Sequence, residues 1–231
     1  MIPWLDATDS FPPVARALAE PNGLIAAGGD LSTQRLIAAY RHGIFPWFSD
    51  DQPILWWSPD PRMVLFPHEL KLSRSLRKTL CKKNYEVRAD TAFGAVIECC
   101  AAPRRDQNGT WIVPQMAAAY SELHAIGIAH SVETWIGGEL AGGLYGVALG
   151  GVFYGESMFT RVTDASKIAL AHLVRQLARW DFGLIDCQMN TRHLASFGAR
   201  EVPRTEFTRR VAELVNYPGR NGRWHFDDDL A

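Results

Sequence analysis

The apolar positions follow two periods, and each change of period marks an element. From Thr33 to His42 a 3.6-residue repeat puts Leu36, Ile37 and Tyr40 on one face, with Ser32 placed to cap the first turn and Gly43 at the position that ends the helix. Lys71–Lys83 has the same period, with Leu72, Leu76 and Leu80 in one stripe. A third helix is predicted from Pro114, suited to a first turn, to the stop at Gly127, with Met116, Tyr120 and Leu123 on one side. After Gly127 the period shortens. Ile128–Ile136, Glu139–Leu149 and Val152–Phe159 read as three strands, joined at Gly137-Gly138 and Gly150-Gly151, pairs that supply the positive φ of hairpin turns. Asp164 then begins a helix near Ala165–Trp180, and Gly183–Gln188 resumes as a strand.

Between the first two helices the periodicity breaks. Pro53, Pro59 and Pro61 suit neither a helix nor a central strand, so residues 53–62 are expected to form a rigid connector at a domain boundary. The predicted architecture is α+β, with a small N-terminal domain over residues 1–62 and a larger domain over residues 63–231 built on a mainly antiparallel sheet. Trp4, Trp47, Trp56 and Trp57 lie at or before the connector, which favours aromatic packing of the small part against the larger one. Core filling is the expected role of Trp56 and Trp57.

At 231 residues the chain can bury one good core, or a core plus a small appended domain. The long uncharged stretch Leu140–Gly155 is shorter than the ~20 residues of a spanning helix and is interrupted by glycines, so no membrane span is expected. Residues 1–20 carry Asp6, Asp9 and Glu20 and no basic start before an apolar run, so no secretory signal is expected and the expected address is cytoplasmic. Cys81, Cys99, Cys100 and Cys187 make no C-x-x-C pair and read as reduced, buried thiols. The histidines fall in no familiar ligand spacing, so no metal is predicted. A net charge of −1 exerts no global pull on nucleic acid, so any RNA contact must come from a local patch.

One such patch exists. Lys71, Arg74, Lys78 and Lys82 form a stripe beside the leucines, with Arg77 at its edge, which reads either as a solvated face or as an RNA contact. Gly23–Asp30 has glycines but lacks the Lys and Ser/Thr of a phosphate loop, and Asp30 would repel phosphate. Ser75-Leu76-Arg77-Lys78 fits S-x-x-K without the companion motifs. In the last predicted strand, period-2 alternation puts Asp186 and Gln188 on one face and Ile185 and Cys187 on the other. Glu156 lies between apolar residues, fitting either a solvated edge or a polar site.

The N-terminal half carries the ordered blocks Asn22-Gly23-Leu24, Gly28-Gly29-Asp30-Leu31-Ser32, Gly43–Phe48 and Trp56-Trp57-Ser58-Pro59-Asp60-Pro61-Arg62. The second half carries Gly109–Ile112, Ala129–Glu133, Gly142–Gly146, Gly155–Phe159, Ala165-Ser166-Lys167 and Ile185–Gln188. Through these blocks, over about residues 21–204, the chain resembles the leucyl/phenylalanyl-tRNA–protein transferases.

That resemblance implies a GNAT-like acyltransferase fold for the larger domain and transfer of Leu, Phe or Met from aminoacyl-tRNA to acceptor proteins with N-terminal Arg or Lys, marking them for degradation. It implies no cofactor, and a monomer is expected. Gln188 would contact the attacking amine, with Asp186 polarising it. Trp47 and Trp111 would hold the terminal adenosine, Leu144, Phe153, Met158 and Ile185 would surround the donor side chain, and Glu156 would attract the cationic acceptor. An acetyl-CoA-dependent N-acetyltransferase is the runner-up, although no glycine-rich pyrophosphate loop precedes the Ala165 helix. A non-catalytic RNA-binding protein is the third alternative.

Overall fold

The computed structural model describes residues 2–6, 8–102 and 112–227. Its elements in chain order begin with β1 (Trp4–Leu5), β2 (Leu24–Gly28), α1 (Thr33–Arg41), β3 (Phe45–Pro46) and β4 (Leu55–Trp57). There follow β5 (Arg62–Leu65), α2 (Arg74–Cys81), β6 (Glu86–Ala89), α3 (Phe93–Ala101), α4 (Pro114–Ala125), β7 (Ala129–Ile136), β8 (Glu139–Leu149) and β9 (Val152–Thr160). The last are α5 (Ala165–Arg179), β10 (Leu184–Gln188), α6 (Arg192–Ala195), β11 (Arg200–Val202) and α7 (Arg204–Leu214). The first four strands form one sheet in the order β1-β2-β4-β3, and the other seven form a second, β11-β5-β10-β9-β8-β7-β6. The second sheet is antiparallel except where β9 and β10 run parallel. Among the described residues no helix is long and apolar enough to cross a membrane.

The strongly periodic segments fold as their spacing predicts. Ser32 Oγ accepts from the Arg35 N–H at 3.4 Å, capping α1, and Gly43 ends it with φ of 70°. The glycine hairpins join β7, β8 and β9 as expected. Alternate strand residues feed two apolar clusters, one holding Tyr145, Tyr154 and Leu184, the other Leu144, Phe153 and Ile185. The first cluster also contains Ile25, Tyr40 and Trp56, so the two sheets share a core. Trp56 is fully buried, and Trp57 is half-buried with its indole N–H bonded to the Trp47 carbonyl.

Three expectations are corrected. The proline-rich connector contains strand: Leu55–Trp57 pairs with both β2 and β3, and Arg62 opens β5, because Pro53, Pro59 and Pro61 all fall between the paired residues. The basic helix starts at Arg74 instead of Lys71, since Ser73 caps it by accepting from Leu76 N and Lys71 N is committed to the Phe197 carbonyl. The cysteines are free thiols, but only Cys100 is buried; Cys81 is exposed and Cys99 and Cys187 are intermediate. The pattern also predicts none of β6, α3, α6, β11 or α7, short or weakly periodic elements whose place depends on distant neighbours.

Candidate active site

Two irregularities in neighbouring strands build the site. β8 and β9 pair regularly from Leu149–Val152 to Gly146–Gly155, then resume at Tyr145–Ser157, so Glu156 is an extra residue without a cross-strand partner. A Cβ on Gly146 would lie 2.3 Å from the Tyr154 carbonyl oxygen and 2.5 Å from the Phe153 ring, so only glycine fits beside this bulge. In β10 the pairing with β5 passes from Asp186–Val64 to Gln188–Met63, leaving Cys187 extra. Gln188 has φ of 59°, and its N–H donates to Asp186 Oδ1 at 2.9 Å. The simple alternation expected for Asp186 and Gln188 therefore stops at this bulge. The two bulges bring the side chains together: Gln188 Nε2 donates to Glu156 Oε1 at 3.2 Å.

Glu156 is a half-buried carboxyl with two further partners. Tyr40 from α1 donates to Oε1 at 2.8 Å and Tyr120 from α4 to Oε2 at 2.9 Å, while the two phenolic oxygens lie 2.6 Å apart. Burial pushes the carboxyl up to about 7, against hydrogen bonds that pull it down. The tyrosines stay neutral, their phenols raised well above the ordinary range by burial and then by the neighbouring carboxyl.

Asp186 is fully buried and faces Arg62 from β5. Arg62 Nε donates to Oδ1 at 2.8 Å and Nη2 to Oδ2 at 2.6 Å. The guanidinium lies 4.7 Å from the Phe45 ring centre and 4.6 Å from that of Phe207.

These groups open onto a cavity of about 600 Å³, within the usual range for a small-ligand site. Leu144, Phe153, Met158 and Ile185 line its apolar part, together with Leu170 and Leu173 of α5. Glu156, Asp186 and Gln188 line its polar part. Trp47 stands in the wall, 41% exposed, with its ring 5.6 Å from that of Trp57. One cavity thus gathers every described residue expected at the catalytic and substrate sites, while Trp111 lies outside the described residues.

The basic residues do not line this cavity. Lys71, Arg74, Arg77, Lys78 and Lys82 are all exposed, on α2 and its flanks. That surface is nevertheless tied to the cavity wall. Thr79 Oγ1 donates to Asp164 at 3.4 Å, Lys167 pairs with the same carboxylate at 2.7 Å, and Lys71 N bonds Phe197 in the segment that carries His193.

Sequence reasoning missed Arg62, Tyr40, Tyr120 and His193 as site residues. Tyr40 and Tyr120 read as core positions on helix faces, and nothing local says that their hydroxyls meet. Arg62 was visible only as the end of a motif. His193 lines the cavity, and burial, then Lys167, holds its imidazole below the ordinary range.

Residues 64–212 match the family model described as leucyl/phenylalanyl-tRNA protein transferase, and residues 29–60 match the model of that family's N-terminal domain. The leucyl/phenylalanyl-tRNA–protein transferase of Nitrosospira multiformis is 66% identical, covering 99% of both chains. Those of Nitrosomonas europaea and Chromobacterium violaceum are 65% and 60% identical, each covering 98% of this chain and 96% and 97% of their own. A solved structure, that of L-PGS from Bacillus licheniformis, matches with a TM-score of 0.39 at 10% identity over 74% of this chain and 57% of its own, a likeness that assigns no fold.

Proposed function

The chain belongs to the leucyl/phenylalanyl-tRNA–protein transferase family, and from that premise we propose that it transfers Leu, Phe or Met from aminoacyl-tRNA to the N-terminal Arg or Lys of acceptor proteins, marking them for degradation. The observation that carries this reading is the two-ended cavity, with an apolar part fit for a donor side chain beside a carboxyl and an amide fit for an incoming amine.

In the reaction the acceptor's α-nitrogen attacks the ester carbonyl, a C–N bond forms, and the C–O bond to the terminal ribose breaks, releasing the tRNA hydroxyl. The ester is already activated, so placement contributes most. Gln188 orients the amine, and Asp186 supports Gln188. Glu156 attracts the cationic acceptor once it is ionised. Trp47 and Trp111 hold the terminal adenosine, Leu144, Phe153, Met158 and Ile185 receive the donor side chain, and Lys71, Arg74, Arg77, Lys78 and Lys82 contact tRNA phosphates.

The division at residues 62 and 63 is supported by the two model matches, which end at 60 and start at 64. A GNAT-like fold for residues 63–231 and a monomeric, cytoplasmic protein belong to the same reading. The test is incubation with radiolabelled leucyl-tRNA and an Arg-initiated peptide. Label on the peptide is expected; an acetyl group taken from acetyl-CoA, with no leucine transferred, would overturn the proposal.

A further inference from the structure

We infer that Arg62 is a positioning residue for the transfer step, acting through Asp186 on Gln188; this rests on the role given to Gln188 above. The turn leading into Arg62 is braced on both sides. Asn22 donates to the Asp60 carbonyl at 3.0 Å and accepts from Asp60 N at 3.1 Å, while Asp60 Oδ1 accepts from Arg204 N at 3.0 Å and Arg204 Nη1 donates to the Ser58 carbonyl at 2.6 Å. A Cβ on Gly23 would fall 2.5 Å from Pro59 N, so the chain closes on this turn with no room to spare. The motifs Asn22-Gly23 and Ser58–Arg62, far apart in sequence, are thus one bracket that sets where Arg62 enters β5.

From there Arg62 reaches beneath β10. Its guanidinium sits between Phe45 of the small sheet and Phe207 of α7, so both parts of the molecule fix its plane. Its fork sets the Asp186 carboxylate, whose Oδ1 is shared between Arg62 Nε at 2.8 Å and Gln188 N at 2.9 Å. That second bond holds Gln188 at φ 59°, a left-handed backbone that side chains other than glycine resist. The held backbone aims the amide, whose Nε2 reaches Glu156. Asp186 meets Gln188 at the backbone N–H, while the side-chain amide is engaged with Glu156, so the carboxylate acts on the amide through its placement. Replacing such a buried pair by apolar groups is commonly neutral for stability, and what this pair supplies is a fixed direction.

The experiment is a double-mutant cycle of Arg62→Lys and Gln188→Ala, read by transfer of labelled leucine to an Arg-initiated peptide, by aminoacyl-tRNA binding and by thermal unfolding. Lysine keeps the charge and loses the fork. Arg62→Lys is expected to lower kcat by about 10²-fold, leave donor KM and tRNA affinity unchanged, and have little further effect once Gln188 is alanine. Multiplicative losses in the double variant, or a kcat like that of the wild type in Arg62→Lys, would overturn the inference. If Arg62→Lys does not fold, Arg62→Gln, which keeps a donor facing Asp186 and leaves Asp186 itself unchanged, takes its place in the cycle, with the same outcomes. A wild-type chain that transfers no leucine overturns the proposed function and this inference with it; failure of the linkage alone requires an active wild type.

Discussion

The apolar and polar ends of the cavity lie on the same strands and are built by opposite means. Leu144, Phe153 and Ile185 are buried by ordinary alternation along β8, β9 and β10, and any well-paired sheet with that pattern would put them on one face. Glu156 and Gln188 sit where β9 breaks its pairing with β8 and β10 its pairing with β5; Tyr40 and Tyr120, which bond Glu156, come from α1 and α4, and Arg62, which bonds Asp186, comes from β5. The apolar end is held by volume, which tolerates small shifts; the polar end is held by direction, which does not. Damage at the polar end should therefore cost rate, and damage at the apolar end should change preference among donors.

The largest effect is expected at the polar end. Gln188→Ala and Asp186→Ala should each slow transfer by about 10²–10³-fold while tRNA binding is kept, since loss of a positioned polar group costs about that much. Single-turnover rates beside a binding titration check this, and normal turnover in both variants would remove them from the site.

The apolar end should answer differently. With one tRNA body charged in turn with Leu, Phe, Met, Ile and Val, the unbranched or γ-branched donors should react faster than Ile and Val, which carry bulk at Cβ next to the attacked carbonyl. Met158→Ala should change the ranking among donors by about 10–200-fold, the range that apolar size differences produce. If Ile-tRNA serves as well as Leu-tRNA, or if exchanging the tRNA body reverses the order, the pocket does not select the donor.

A smaller effect is expected from Glu156→Gln, and its signature is pH. The carboxyl titrates near 7 in the folded chain and at 4.5 as an ordinary glutamate, so the folded state holds more protons between those values. Stability should fall as pH rises from about 4.5 through about 7, and the Gln variant should lose that part of the slope in urea unfolding followed from pH 5 to pH 8. Acceptor kcat/KM should rise in the wild type as the pH passes through about 7, where the folded carboxyl ionises. Since the carboxyl is only half-buried, its charge should add about fivefold or less, which the variant lacks.

The smallest effect on the chemistry is expected away from both ends. Replacing Lys71, Arg74, Lys78 and Lys82 with alanine should leave reaction with a short aminoacyl-adenosine unchanged, yet lower the salt slope of whole-tRNA binding by about 0.7–0.9 per lost phosphate contact. An unchanged slope returns α2 to being a solvated face.

The sequence by itself determined the periodic elements, the glycine hairpins and the cap at Ser32, because each depends on neighbours a few residues away. It also carried the family, through ordered motifs, and residues of several of them line the cavity. It could not show that residues 53–62 form a central strand and an anchored turn, since the hydrogen-bond partners of those residues lie in β2, β3 and α7. Nor could it place the bulges. A bulge is a mismatch between two strands, so one strand's pattern, read alone, continues unbroken through Asp186, Cys187 and Gln188. Tertiary structure decided that Tyr40 and Tyr120 meet on one carboxyl and that Arg62 lies under Asp186, because hydrogen bonds need direction and contact across the chain, whereas burial needs only the right period.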